Sequence, residues 1–435
     1  MSTRVQHISS SSENYPRLVW ADGKGKIYDQ PDWGAVGRRG NEILPLDKKE
    51  LIPLPRGSEL FLLPGRTPLA KGSDGRIETF PGSGRNGEKP VAVAAFLSPA
   101  HTQLLLPAYR RSEDAPVLPL FAYTAVAYMD DGFWVPAVRV DEDRRQEADV
   151  FDRKKEEEGI GARLKAYPEN RLFRHLARCA REYCCPAARN LFHGRWEAPL
   201  PTSPTCNADC IGCISWQPSG CCPATQPRID FVPTPEEIAE VALDHFRRDP
   251  EGIASFGQGC EGEPLMVPDV LERAVSLIRE GTGRGTLNLN TNGSRPEVVE
   301  RLAAAGLNAI RVSLNSARPS LYEAYFKPSG YGFDEVVETI RVARRAGLFT
   351  SLNYLVFPGV TGQPEEMEAL ADLIGDTGLD MIQWRNLNID PDLYLESVPV
   401  AGNSLGIGRA MAAVRERFPR LRHGYFNPPL NASSG

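Results

Sequence analysis

Cys206-Asn207-Ala208-Asp209-Cys210-Ile211-Gly212-Cys213 sets three thiols on one short stretch at C-x3-C-x2-C spacing. Cysteine thiolates are the usual ligands of iron–sulfur clusters, and three from one loop can meet three corners of a cuboidal cluster. One iron is then left for another ligand. A structural zinc loop or a group of reduced thiols fits the same cysteines, so the surrounding chain has to decide. From residue 198 onward, strand-like runs at 198–202, 253–257, 286–290, 309–314, 351–357 and 381–384 alternate with helical stretches. That alternation predicts parallel βα units. The cysteine stretch follows the first run, at the strand end where parallel α/β sheets bind ligands.

Working outward, the second run ends in Phe256-Gly257-Gln258-Gly259-Cys260-Glu261-Gly262-Glu263-Pro264-Leu265. Glycines let a backbone come close to a ligand, and a carboxylate among exposed backbone groups can hold an ammonium group. Glu263 is the carboxylate expected to do so. The third run closes on Leu289-Asn290-Thr291-Asn292-Gly293, and the fourth on Arg311-Val312-Ser313-Leu314-Asn315. Ser313 and Asn315 are two apart and share a strand face. A turn, Phe357-Pro358-Gly359-Val360-Thr361, follows the fifth run. The sixth leads into Gln383-Trp384-Arg385-Asn386-Leu387-Asn388-Ile389-Asp390, unusually polar for a barrel interior.

In this order the segments resemble the radical S-adenosylmethionine (radical SAM) superfamily, over roughly residues 198–390. The resemblance implies an α/β fold, a partial (β/α)6 barrel, with a [4Fe–4S] cluster on Cys206, Cys210 and Cys213. SAM would take the fourth iron through its amino and carboxylate groups. An electron would then cleave it to methionine and a 5′-deoxyadenosyl radical that abstracts hydrogen from a substrate the motifs do not name. Gly262 and Glu263 correspond to the family's glycine–glutamate loop at the methionine part of SAM. Thr291 and Asn292 would face the cofactor, and Ser313 and Asn315 would meet its ribose or carboxylate. The turn at Val360 would pack on adenine, and Arg385, Asn386 and Asn388 would contact SAM or substrate. One departure concerns adenine: many members carry an aromatic residue just before the third cysteine, where this chain has Gly212, and Trp216 is the nearest substitute. No separate catalytic residue is assigned. A reductase or a flavodoxin- or ferredoxin-type electron donor is the implied partner. Two rival readings stay open: an activase that places a glycyl radical on a partner protein, and a non-enzymatic iron–sulfur or zinc protein that binds metal but not SAM.

The rest of the chain sets bounds. Among 435 residues the hydrophobic fraction is 41%, the charged fraction 24% and the net charge −6. An acidic balance argues against a nucleic-acid partner. No apolar run approaches the roughly 18 residues that span a bilayer, and the polar start lacks the apolar core of a signal peptide. Nine cysteines then read as metal ligands or reduced thiols, and a cytoplasmic location is expected. Residues 1–15 are expected to be a disordered tail and 16–150 a β-rich accessory domain with a hairpin at Asp130-Asp131-Gly132. Residues 151–195 form a helical connector whose helix at 169–183 is ended by Pro186. The core is 196–400, and 401–435 a helix and tail. Thr234-Pro235-Glu236-Glu237 and Ser294-Arg295-Pro296-Glu297 read as capping boxes. His101 reads as a packed or exposed histidine rather than a ligand. A second iron–sulfur cluster or zinc is also considered, on Cys184 or Cys185 with Cys221 or Cys222. Against it, adjacent cysteines point apart, and Cys179 fits a buried helix face where free cysteine is a small hydrophobe.

Overall fold

The computed structural model describes residues 15–82, 87–217, 220–400 and 402–430, so the expected tail lies outside the described residues except for Tyr15. The chain forms two compact units. One comprises Met1–Glu142, Val356–Glu368 and Arg385–Pro419; the other comprises Asp143–Leu355, Ala369–Trp384 and Arg420–Gly435.

The second unit opens with helices α1 (Arg153–Ala166), α2 (Arg171–Tyr183) and α3 (Pro186–His193). Pro186 does not end α2, as expected from sequence; it opens α3. The stop comes earlier, at Cys184, whose left-handed φ of 50° forms the C-cap. Proline is well suited to the first helical turn, where its missing N–H costs nothing.

The sheet that follows runs β1 (Glu197–Pro199), β2 (Ile253–Phe256), β3 (Thr286–Thr291), β4 (Ala309–Leu314), β5 (Phe349–Val356), β6 (Met381–Asn386) and β7 (Arg422–Gly424), paired in that order. The pairings from β1 to β5, and that of β6 with β7, are parallel. Six strands match the expected (β/α)6 barrel. The short β7 is an addition that the alternation did not reveal. Helices α4 (Pro235–Arg248), α5 (Pro268–Gly281), α6 (Pro296–Ala305), α7 (Pro319–Phe326) and α8 (Phe333–Arg345) lie between the strands. The capping box of α4 forms as read: Glu237 N donates to Thr234 Oγ1 at 3.2 Å, and Thr234 N to Glu237 Oε2 at 2.8 Å. The second box does not. Arg295 is the N-cap of α6 without a side-chain cap, and Ser294 N is taken by Asn292 Oδ1 at 3.0 Å.

Parallel strands are covered on both faces, and every residue of β3 is buried. Its inward asparagines are paired with each other: Asn288 Nδ2 donates to Asn290 Oδ1 at 2.9 Å, and Asn290 Nδ2 to Phe256 O at 2.7 Å. Near the strand starts, Ser255 Oγ and Asn427 Nδ2 both donate to Glu197 Oε1, at 2.7 and 3.0 Å. The segment after β7 thus closes a buried polar ladder.

The first unit holds an antiparallel sheet between Arg17 and Arg139. Its hairpin joins Ala127–Met129 to Gly132–Arg139 across Asp130 and Asp131, whose φ values are 50° and 57°. Two positive φ values make the type I′ turn that matches strand twist. Val19, Val93, Val126, Tyr128 and Val135 form its largest core cluster. His101 is buried, the packed alternative of the two read from sequence. The stretch after β6 belongs to this unit through specific polar bonds. Gln103 N donates to Asn386 Oδ1 and Asn386 Nδ2 to His101 O, both at 2.9 Å. Arg66, 1% exposed, donates to Asp390 at 2.8 Å, and Arg38 and Tyr109 reach Asp392 at 3.0 and 2.9 Å. Among the described residues no helix is long and apolar enough to cross a membrane.

Candidate metal and cofactor site

Cys206, Cys210 and Cys213 are free and half-buried on the loop after β1. Much of the loop's bracing is through its backbone. Cys213 N closes a turn on Cys210 O at 3.1 Å. Asp209 N and Ile211 N donate to Phe326 O and Tyr325 O, each at 3.1 Å, and Ser329 N donates to Asn207 O at 2.9 Å. The end of α7, where Lys327 turns left-handed at φ 45°, therefore braces the cysteine loop. Nothing local in the sequence marks this brace.

The glycine–glutamate loop is zipped to the same stretch. Gly262 N donates to Ser203 O at 2.7 Å and Glu263 N to Thr205 O at 2.8 Å. A Cβ on Gly262 would lie 2.0 Å from Thr205 O, so only glycine permits this approach. Buried Glu261 fixes the register. Its carboxylate accepts from Thr202 N at 2.7 Å, Ser203 N at 3.1 Å, Gly257 N at 2.7 Å and Gln258 N at 2.9 Å. Burial pushes its pKa up against the pull of those donors. Sequence reading singled out Glu263 and passed over Glu261.

Glu263 is equally buried, and burial pushes its carboxyl up to about 7. It accepts from Thr291 Oγ1 at 2.6 Å, Asn292 N at 2.8 Å and Leu265 N at 3.1 Å. An ionised carboxylate offers about four lone-pair sites. Three are taken here, which leaves room for one further donor. Asn292 also ties this carboxylate to the cysteine loop, since its Nδ2 donates to Asn207 Oδ1 at 2.8 Å. Gly262, Glu263, Thr291 and Asn292 are therefore brought together with the cysteines.

The other expected contacts are placed differently. Ser313 Oγ accepts from Asn353 Nδ2 of the next strand at 3.0 Å. Asn315 is fully buried and donates to Leu321 O at 3.0 Å, fixing the start of α7. Val360, Arg385 and Asn388 belong to the first unit; Val360 is fully buried in its turn and the other two are half-buried. Trp216 is 52% exposed, with the Arg228 guanidinium 5.4 Å over its ring. Arg228 also reaches Cys213 Sγ at 3.5 Å and Ser215 Oγ at 3.3 Å, a cation beside a cluster thiol that no motif announces.

Burial raises the Cys210 thiol pKa well above its usual range, and the neighbouring Cys213 and Cys206 add to it. Burial, then the Glu263 charge, pushes Cys206 up to about 11. Cys206 and Cys210 therefore resist ionising together unless a cation shares their charge. Tyr322 and Tyr331, hydroxyls 3.3 Å apart, are likewise held neutral by burial. A cavity of about 790 Å³ opens beside Cys206, lined by Asn207, Met266, Arg295, Ser329 and Glu335 among others.

Fold and site together define a parallel α/β barrel protein with three free thiols on one loop next to a buried carboxylate. Residues 200–374 match the sequence model of the radical SAM superfamily, which places this region of the chain in that superfamily. It is 29% identical over 238 residues to molybdenum cofactor biosynthesis protein 1 of Mus musculus, covering 52% of this chain and 34% of that protein. It is 34% identical over 150 residues to the GTP 3′,8-cyclase of a Cyanothece species, covering 33% and 44%. The solved structure of methylornithine synthase aligns with a TM-score of 0.39 at 17% identity, over 54% of this chain and 66% of that one. The chain thus spans between a third and a half of the length of these curated relatives.

The family implies a [4Fe–4S] cluster and SAM, and the donor set fits both. Three free thiols on one loop leave one iron of four open, and Glu263 keeps one acceptor site beside them. Among the described residues, Cys184 or Cys185 with Cys221 or Cys222 do not form a group with metal-ligand spacing. Cys184 and Cys221 are exposed, and Cys221 and Cys222 lie with sulfurs 3.5 Å apart. Cys179 and Cys260 meet each other instead, with His175.

Proposed function

We propose that this chain is a radical SAM enzyme that holds a [4Fe–4S] cluster on Cys206, Cys210 and Cys213 and receives the amino group of SAM at Glu263. When bound by these residues, cluster and SAM would supply one-electron radical chemistry able to remove hydrogen from a substrate. The protein's tasks are positioning and shielding. Glu261 locks the two loops in register. Asn292 joins the carboxylate to the cysteine loop, and the end of α7 keeps that loop from relaxing. Arg228 holds positive charge at Cys213. A flavodoxin- or ferredoxin-type donor delivers the electron.

The observation that carries this reading is the backbone zipper between the cysteine loop and Glu263. The test is production of 5′-deoxyadenosine by anaerobically reconstituted full chain with SAM and dithionite. Cys206→Ala, Cys210→Ala and Cys213→Ala should each reduce it below detection. Wild-type turnover in any of the three would remove the assignment. Calorimetry with SAM separates this reading from a purely metal-binding role, which predicts no heat of SAM binding.

A further inference from the structure

Outside the cluster loop, His175, Cys179 and Cys260 place one ligand atom each within 4.8 Å of one another. Cys179 and Cys260 are 5% exposed, and His175 is half-buried. His175 and Cys179 are four apart on α2, so they project from one helix face. Cys260 comes from the loop that also carries Glu261 and Glu263. His175 Nε2 lies 3.5 Å from Cys179 Sγ. Zinc bonds of about 2.3 Å to sulfur and 2.0–2.1 Å to nitrogen, at tetrahedral angles, put those two atoms about 3.5 Å apart. The spacing is thus that of two corners of one tetrahedron. The Phe231 ring meets His175 edge-on, 6.2 Å between centroids, and helps fix the imidazole plane.

We infer that His175, Cys179 and Cys260 form a zinc site, separate from the cluster, with water in the fourth position. Two thiolates and one imidazole suit a borderline-soft ion and are poor ligands for magnesium or calcium, which favour oxygen. A disulfide between the two cysteines would use neither the histidine nor its placement one helical turn from Cys179. The site ties α2 to the glycine–glutamate loop, bridging positions 81 residues apart. Its consequence is mechanical: zinc holds the loop that presents Glu263. The inference does not depend on the proposed SAM chemistry.

Metal analysis of anaerobically purified full chain tests it. About one zinc per chain should accompany the cluster iron. Cys260→Ser and His175→Ala should lose zinc at least fivefold and keep iron. A variant with all three cluster cysteines changed to alanine should lose iron and keep zinc. X-ray absorption at the zinc edge of the unmutated protein needs no variant to fold, and should show two sulfurs and at least one nitrogen. The site is overturned if the wild-type chain holds no zinc above background, if about eight irons are found instead, if zinc survives both Cys179→Ser and Cys260→Ser, or if the zinc departs with the cluster cysteines.

Discussion

Two polar strand ends of this molecule look alike in sequence and behave differently. After β2, Glu261 and Glu263 sit in a glycine-rich loop; after β6, Asn386, Asp390 and Asp392 sit in an equally polar stretch. In the first, one carboxylate is consumed by backbone donors and the other keeps an acceptor site unfilled. In the second, the asparagine is bonded to the backbone at Gln103 and His101, and both aspartates are bonded to Arg66, Arg38 and Tyr109. Polarity at a strand end therefore identifies a ligand site only when some hydrogen-bonding capacity is left over after the fold has been satisfied.

Breaking the second region should give the larger stability effect. Asp390 accepts from Arg66 and from Leu118 N at 2.7 Å in a buried setting. Asp390→Ala would leave the buried Arg66 guanidinium with Asp392, at 3.5 Å, as its remaining carboxylate, and breaking a buried ion pair typically costs about 3–5 kcal/mol. Urea denaturation should show that loss. A change under about 1 kcal/mol would mean that the ion pair is replaceable and the contrast between the two strand ends is weaker than drawn.

This contrast also explains what could be read in advance. The cysteine spacing, the glycine–glutamate segment and the α4 capping box involve residues within a few positions of one another, so local pattern sufficed. The role of Glu261 depends on Thr202 and Ser203, 59 and 58 residues earlier, and Asp390 depends on Arg66, 324 residues away. Such partners have no local signature. Pro186 was misjudged for a related reason: proline marks a boundary, and only the left-handed Cys184 shows which helix it bounds. Ser294 failed as a cap because Asn292, two residues before it, captured its N–H.

Within the first region the two glutamates should separate. Glu263→Ala removes a charge-assisted hydrogen bond, worth about 1.5–3 kcal/mol, so SAM affinity should fall roughly tenfold or more while the iron content stays intact. Glu261→Gln should instead disturb both loops, lowering cluster retention as well as SAM affinity. Equal behaviour of the two variants would erase the distinction between a clamping and a receiving carboxylate. Ser313→Ala, whose hydroxyl already accepts from Asn353, should weaken SAM binding by less than Glu263→Ala.

A pH effect probes the spare acceptor site directly. Burial holds the Glu263 carboxyl at about 7, above its ordinary value. A raised carboxylate pKa means that the folded protein binds the proton more tightly than the unfolded chain. The ionised form is therefore disfavoured in the empty site, and this contribution to stability falls as pH rises from about 4.5 through 7. Receiving an amino group requires the ionised form, because a protonated carboxyl loses acceptor capacity on one oxygen. The ionised fraction is about 0.9 at pH 8 and about 0.1 at pH 6 for a pKa of 7. SAM affinity of the reconstituted protein should accordingly fall by roughly tenfold from pH 8 to pH 6. Glu263→Gln, which cannot titrate, should show weak binding with most of that slope removed. A slope that persists in the variant would locate the titrating group elsewhere, and Glu263 would then join Glu261 as a residue that only holds the loops together.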